Sequence, residues 1–206
     1  MNKEIIIIGG GNHSNSIVDI ISRLKKPPKI LGYTDKKKTM SNLNYLGKDK
    51  IIYNYNNKSV LLVNGIGLDI KLRESIFKKF SLLFEFYKII DDSAVVSKNA
   101  NIEAGVIIFP LTHVGPNVTI EKNVVIHTKT SIEHDSKINQ HSYLGPNCTI
   151  CGNVDVGKSV LIGGASFLKQ GIKIENRIKI SAGSTVLKSF NKQNTLVYGS
   201  PAKEKK

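Results

Sequence analysis

The chain has 206 residues, enough for one or two domains with a sizeable core. Its 30 Lys and Arg against 16 Asp and Glu leave a formal charge of +14. Yet the lysines are scattered, aromatics are few in the C-terminal half, and no nucleic-acid-binding motif accompanies them. No apolar run approaches the roughly 18 residues of a membrane span. The expectation is a cytoplasmic protein with neither nucleic acid nor membrane as partner, its excess charge free to attract phosphorylated ligands.

The opening Met1-Asn2-Lys3-Glu4, four isoleucines and then glycines, is too short and abrupt for a signal peptide. Residues 4–8 read as a buried strand, followed by Gly9-Gly10-Gly11-Asn12-His13-Ser14. A helix is expected from about Ser14 to Leu24, with Ile17, Val18, Ile20 and Ile21 on its apolar side and Pro27-Pro28 ending it. Ile30 to Tyr33 form a second strand leading to Asp35, Val60 to Val63 a third, and Asp69 to Phe80 another helix. This alternation predicts a small parallel, Rossmann-like α/β unit over residues 1–86. Glycines between the first strand and its helix let backbone amides approach a phosphate or sugar. The dinucleotide fingerprint is incomplete, because Ser14 stands where the third glycine belongs. Asp35 is placed either to bind a ribose or base or to make a turn, and spacing leaves both open.

Residues 87–206 carry a different signal. From Ile90 to Val186 every sixth residue is Ile, Val or Leu, seventeen positions in all. A period of six fits neither a helix nor an ordinary strand. It reads as a parallel β-solenoid, three hexads to a triangular coil, so that residues 18 apart stack at about 4.8 Å. The anchor and the residue two before it point inward, and the second and third residues after the anchor turn the corner.

That register sorts the chemistry. His134 and Asp135 are the corner residues after anchor Ile132, where the carboxylate can orient the imidazole, and Gly152 stacks on His134 in the next coil. His113 and His127 are outward strand residues and His141 another corner; none stacks 18 residues from another, so no zinc site is expected. Cys148 points inward and Cys151 outward, which makes this lone C-x-x-C a pair of structural thiols.

In order, Ile8-Gly9-Gly10-Gly11-Asn12-His13, Tyr33-Thr34-Asp35, Arg73 after Gly67, Ser131-Ile132-Glu133-His134-Asp135, Cys151-Gly152-Asn153-Val154 and Gly199-Ser200-Pro201-Ala202-Lys203 carry a family likeness. The chain resembles hexapeptide-repeat sugar acetyltransferases of the sialic acid O-acetyltransferase and UDP-4-amino-sugar N-acetyltransferase family, of the bacillosamine-pathway type. The resemblance implies a left-handed β-helix, a handedness opposite to that favoured for parallel crossovers. It also implies a homotrimer with active sites between subunits, acetyl-CoA as co-substrate, no metal, and a nucleotide-linked amino sugar as acceptor.

On the matched positions, Gly11, Asn12, His13, Asp35 and Gly67 would hold the nucleotide sugar, with Lys36 where the family has a second Asp. Tyr143, which replaces a histidine, would line the acetyl-CoA groove with Gly152, Gly164 and Ala182. His134 would be the general base and Asp135 its orienting partner. With no nucleophile elbow and no cysteine at that corner, direct attack is expected rather than an acyl-enzyme. O-acetylation of sialic acid or a related sugar uses the same scaffold and is the rival reading; a non-catalytic β-helix binding module is the third.

Overall fold

The computed structural model describes residues 4–205. Its N-terminal unit is a four-stranded parallel sheet of β1 (Glu4–Ile8), β2 (Lys29–Thr34), β3 (Tyr45–Gly47) and β4 (Val60–Asn64), in the order β3-β2-β1-β4. Helices α1 (Asn12–Arg23) and α2 (Ile70–Phe80) cover opposite faces. Alternation along β1 explains its four isoleucines, each side of the strand being buried. Ile5 and Ile7 pack with Ile17, Ile20 and Ile21 of α1, while Ile6 and Ile8 pack with Ile76, Phe77 and Phe80 of α2. α1 begins at Asn12, two residues before the start read from sequence, and β3 and the short helix Asp49–Asn54 carry no sequence pattern that announced them.

The solenoid starts at Ile89–Ile90 and runs as two-residue strands to Thr185–Val186. Among the described residues these strands fall on three faces, six, six and five of them, and each pairs in parallel with the strand 18 residues on until the last coil. Ser131 thus sits beside Thr149, and Ile132 beside Ile150. The anchors form one continuous column from Ile108 to Val186, fully buried. Hydroxyls at the other inward position are satisfied internally: Thr130, Ser136 and Ser142 donate to the carbonyls of Gly145, Cys151 and Gly157. The architecture matches the left-handed β-helix fold.

Each corner turns through one residue in the left-handed backbone region. From Gly105 to Gly183 every sixth residue has positive φ, and the non-glycine cases include Asn117, Asp135 and Asn153. Asn and Asp adopt that conformation at low cost, which accounts for the asparagines of the repeat. From Asn123 to Gly183 the N–H of each such residue bonds a carbonyl of the coil before it; Asp135 donates to the Pro116 carbonyl and Asn153 to that of His134.

The N-terminal unit packs on the first solenoid face. Ile89, Ile107, Val125 and Tyr143, outward residues of successive coils, join the α1 side of the core. Arg73 of α2 fastens the junction with a wholly buried side chain. It donates to the carbonyls of Asn123 in the solenoid (3.1 Å) and of Asn64 (3.2 Å) and Ile66 (2.7 Å) in the N-terminal unit.

Candidate active site

The corner between the second and third faces holds His134 and Asp135 side by side, as the repeat register places them. His134 Nδ1 lies 2.8 Å from Asp135 Oδ2. The hydrogen bonds from His134 and from Asn117 hold the Asp135 carboxyl below its ordinary range. An ionised carboxylate only accepts, so Nδ1 carries the proton and Nε2 presents a lone pair. That nitrogen lies over Gly152: a Cβ there would fall 2.6 Å from Nε2 and 2.7 Å from Cε1. Gly152 is therefore a space requirement of the imidazole. The His134 side chain remains 48% exposed, open to a reactant.

Neither thiol competes for the chemistry. Burial raises the Cys148 pKa, and burial with the Glu133 charge raises that of Cys151, so both stay protonated.

The small corner residues Gly164 and Ala182 stack along the neighbouring edge, between the first and second faces. A Cβ on Gly163 would meet the Ala182 nitrogen at 2.3 Å, and one on Gly164 the Pro146 carbonyl oxygen at 3.0 Å. The strip lacks projecting side chains at Gly164 and is exposed at Ala182, a surface on which a thin, extended chain can lie.

Tyr143 is placed apart from both. It is buried on the first face, with its hydroxyl 2.6 Å from His127 Nε2 and its ring 6.2 Å from that of His13. His127 in turn stacks on Phe109 at 4.1 Å, and His13 lies 5.7 Å from Phe109. The junction thus brings His13, His127, Tyr143 and Arg73 together, a grouping sequence reasoning missed. Burial, then the Arg73 charge, lowers His13 to about 3 and His127 to about 4, so both imidazoles are neutral. Gly67 packs against His13, a Cβ there coming 3.2 Å from the His13 Cβ.

In the glycine turn, two amides are already engaged. Gly9 N–H donates to Thr34 O, and Gly10 N–H to Asp35 Oδ2 at 2.8 Å. Ser14, in the third-glycine position, ties the turn down by donating to the carbonyl of Gly9 (2.7 Å). What stays open is the exposed Gly11-Asn12 step, where α1 begins without a side-chain cap. Asp35 and exposed Lys36 border a cleft of about 190 Å³ with Lys48, Asp49, Lys50 and Lys79. A second cleft, about 450 Å³, separates α1 from the solenoid and is lined by Asn15, Ser16, Asp19, Arg23, Phe109 and His127. Within one chain, the His134 corner, the strip at Gly164 and Ala182, and the residues around His13 occupy separate places. Among the described residues no cluster of His, Cys, Asp and Glu is arranged to hold a metal, and no helix is long and apolar enough to cross a membrane.

Comparison with known proteins agrees with this architecture. Residues 4–80 match the PglD N-terminal domain family, and residues 153–188 match the hexapeptide repeat of succinyl-transferase family. The bifunctional protein GlmU of Buchnera aphidicola is 33% identical over 120 residues, 47% of this chain and 26% of that protein, so the chain spans about a quarter of that relative.

Two solved structures superpose over nearly all of both chains. The acetyltransferase domain of PglB from Neisseria gonorrhoeae, in complex with acetyl coenzyme A, has a TM-score of 0.92 at 19% identity, covering 99% and 100% of the two chains. A variant of perosamine N-acetyltransferase from Caulobacter crescentus, in complex with CoA and GDP-perosamine, has a TM-score of 0.92 at 22% identity, covering 100% and 98%. Fold and repeat define a hexapeptide-repeat protein of the left-handed β-helix class. More particularly, residues 4–80 carry the match to the PglD N-terminal domain, and the whole chain shares the two-unit fold of the two solved structures.

Proposed function

We propose that the protein transfers the acetyl group of acetyl-CoA to the 4-amino group of a nucleotide-linked amino sugar, with His134 as general base. The observation that carries this reading is the His134–Asp135 pair poised over Gly152. The amine nitrogen attacks the thioester carbonyl while Nε2 takes the amine proton. The Gly152 N–H beside the ring is the proposed donor to the oxyanion. Collapse expels the CoA sulfur, which recovers the proton from the imidazolium, leaving an amide and free CoA. Acetyl-CoA would lie in a groove between subunits, with Gly152 on one wall and the strip at Gly164 and Ala182 on the other. The N-terminal unit would grip the nucleotide sugar at Gly11, Asn12, His13, Asp35, Lys36 and Gly67. The PglB domain and the perosamine enzyme, which hold acetyl-CoA or CoA and GDP-perosamine on this fold, support the assignment.

The assembly we propose is a homotrimer joined through the second face. The outward column there has no Lys, Arg, Asp or Glu, running Val95, His113, Ser131, Thr149, Phe167, Thr185, with Val95 66% and Phe167 37% exposed. The third face instead carries charged pairs such as Lys137–Glu121 at 2.9 Å, and the first is covered by the N-terminal unit. A copy seated on the second face walls the His134 corner and completes a groove. Tyr143 and His127 would then meet ligand from the junction side of a subunit.

The deciding assay incubates the protein with acetyl-CoA and UDP- or GDP-linked 4-amino sugars, reading CoA thiol release and acetylated product by mass spectrometry. Acetamide formation is the expected result. Acetylation of sialic acid in place of the amino sugars would make it an O-acetyltransferase, and turnover of neither would leave a binding module.

A further inference from the structure

We propose that Asn117 is a positioning residue for the His134 base, holding the Asp135 carboxylate in the orientation that fixes the imidazole. The inference rests on the catalytic reading of His134 above. Asn117 occupies the same corner one coil earlier, and its Nδ2 donates to Asp135 Oδ1 at 3.0 Å. The other carboxylate oxygen, Oδ2, takes the His134 Nδ1 proton. The two oxygens are thus divided between amide and imidazole, giving the chain amide–carboxylate–imidazole.

The hold is needed because the site is wet. The Asp135 side chain is 44% exposed, so a carboxylate bonded on one side alone would rotate toward water and release Nδ1. Asn117 and Asp135 share the same corner conformation, with φ of 59° and 60°, so their side chains leave the backbone in register one coil apart. Backbone preference alone accounts for an asparagine at such a corner, and Asn147 and Asn153 are further instances. What distinguishes Asn117 is the amide aimed at the partner of the base. The other titratable groups beside this corner are Glu133, adjacent to His134, and Cys151, which stacks on Glu133 in the next coil and stays a neutral thiol. Neither replaces the Asn117 bond, since Glu133 accepts from Ser131 at 2.7 Å.

Two variants separate this role from a structural one. Asn117→Gly keeps the positive-φ corner and removes the amide, and Asn117→Asp keeps the shape and sets a second carboxylate against the first. The readouts are the ¹⁵N NMR titration of the His134 ring, assigned by its loss in His134→Gln, and the pH profile of kcat/KM. For Asn117→Gly, kcat falls about tenfold or more with little change in either KM, and the ring loses its preference for the Nδ1–H tautomer. For Asn117→Asp, the added negative charge favours imidazolium. The His134 titration and the acid limb of kcat/KM both move up by about one pH unit. Wild-type kcat and tautomer in Asn117→Gly, or an unmoved His134 titration in folded Asn117→Asp, overturns the proposal. If wild-type protein acetylates no acceptor, the reading of the reaction fails, and the NMR titration still decides the role of Asn117.

Discussion

Gly152→Ala is the sharpest perturbation of the site. The added Cβ would lie 2.6 Å from His134 Nε2, where ordinary contact begins at 3.4 Å, so the ring must retreat by about 1 Å. The backbone does not resist, because Gly152 lacks a positive φ. Nor does packing resist, since the imidazole is half exposed and can swing outward. The cost therefore falls on geometry: a misplacement of about 1 Å costs roughly 10²-fold in rate. The expected result is kcat/KM down about a hundredfold with a melting temperature within about 2 °C of wild type. Thiol release with acetyl-CoA and the amino sugar reads the rate, and calorimetric titration with CoA reads cofactor binding separately. Activity within threefold of wild type refutes the placement of Nε2 as the working atom.

Acid stability is a second expectation. Burial lowers His13 to about 3 and His127 and His141 to about 4, so each is neutral in the fold and protonates more readily when unfolded. A lowered histidine pKa contributes stability that is present above about pH 6.5 and lost as pH falls toward 4. The three together give a slope of up to about 4 kcal/mol per pH unit in that window. Melting temperatures that stay flat from pH 7 to pH 5 would contradict it.

Arg73→Met leaves the carbonyls of Asn123, Asn64 and Ile66 without that donor and should cost about 3 kcal/mol or more, read as a lower melting temperature. It should also raise the His13 and His127 titrations, because the Arg73 charge helps to depress both. Unchanged melting would show the junction does not depend on it. Phe167→Asp, on the second face, should shift the protein from trimer to monomer in light scattering while its solenoid circular dichroism persists. A trimer that survives this change uses another face.

The solenoid was legible because a β-helix repeats one local rule, and a strict hexad of buried anchors has no other periodic reading. The same register located His134, Asp135 and Gly152, since corner residues 18 apart must stack. The junction was harder, because it joins residues distant in sequence, with His13 on α1, Arg73 on α2 and His127 and Tyr143 on the solenoid. One signal was present: the outward column Ile89, Ile107, Val125, Tyr143, Leu161 is apolar, whereas its counterpart on the third face reads Asn101, Thr119, Lys137, Asp155, Lys173. An apolar outward column announces a covered face. The glycine turn was legible only in part. Its glycines serve close packing as well as exposure, a Cβ on Gly10 meeting Thr39 Oγ1 at 2.2 Å and the Tyr33 ring at 2.4 Å. Sequence spacing does not tell the two uses apart.

Whether His134 is the base for acetyl transfer to a nucleotide-linked amino sugar is decided by comparing wild type with His134→Gln. Glutamine approximates the reach of the side chain and cannot take the proton. In the variant kcat/KM falls by about 10²–10⁴, with CoA affinity and oligomeric state retained. A soluble, assembled His134→Gln protein that turns over the amino sugar at near wild-type rate contradicts it.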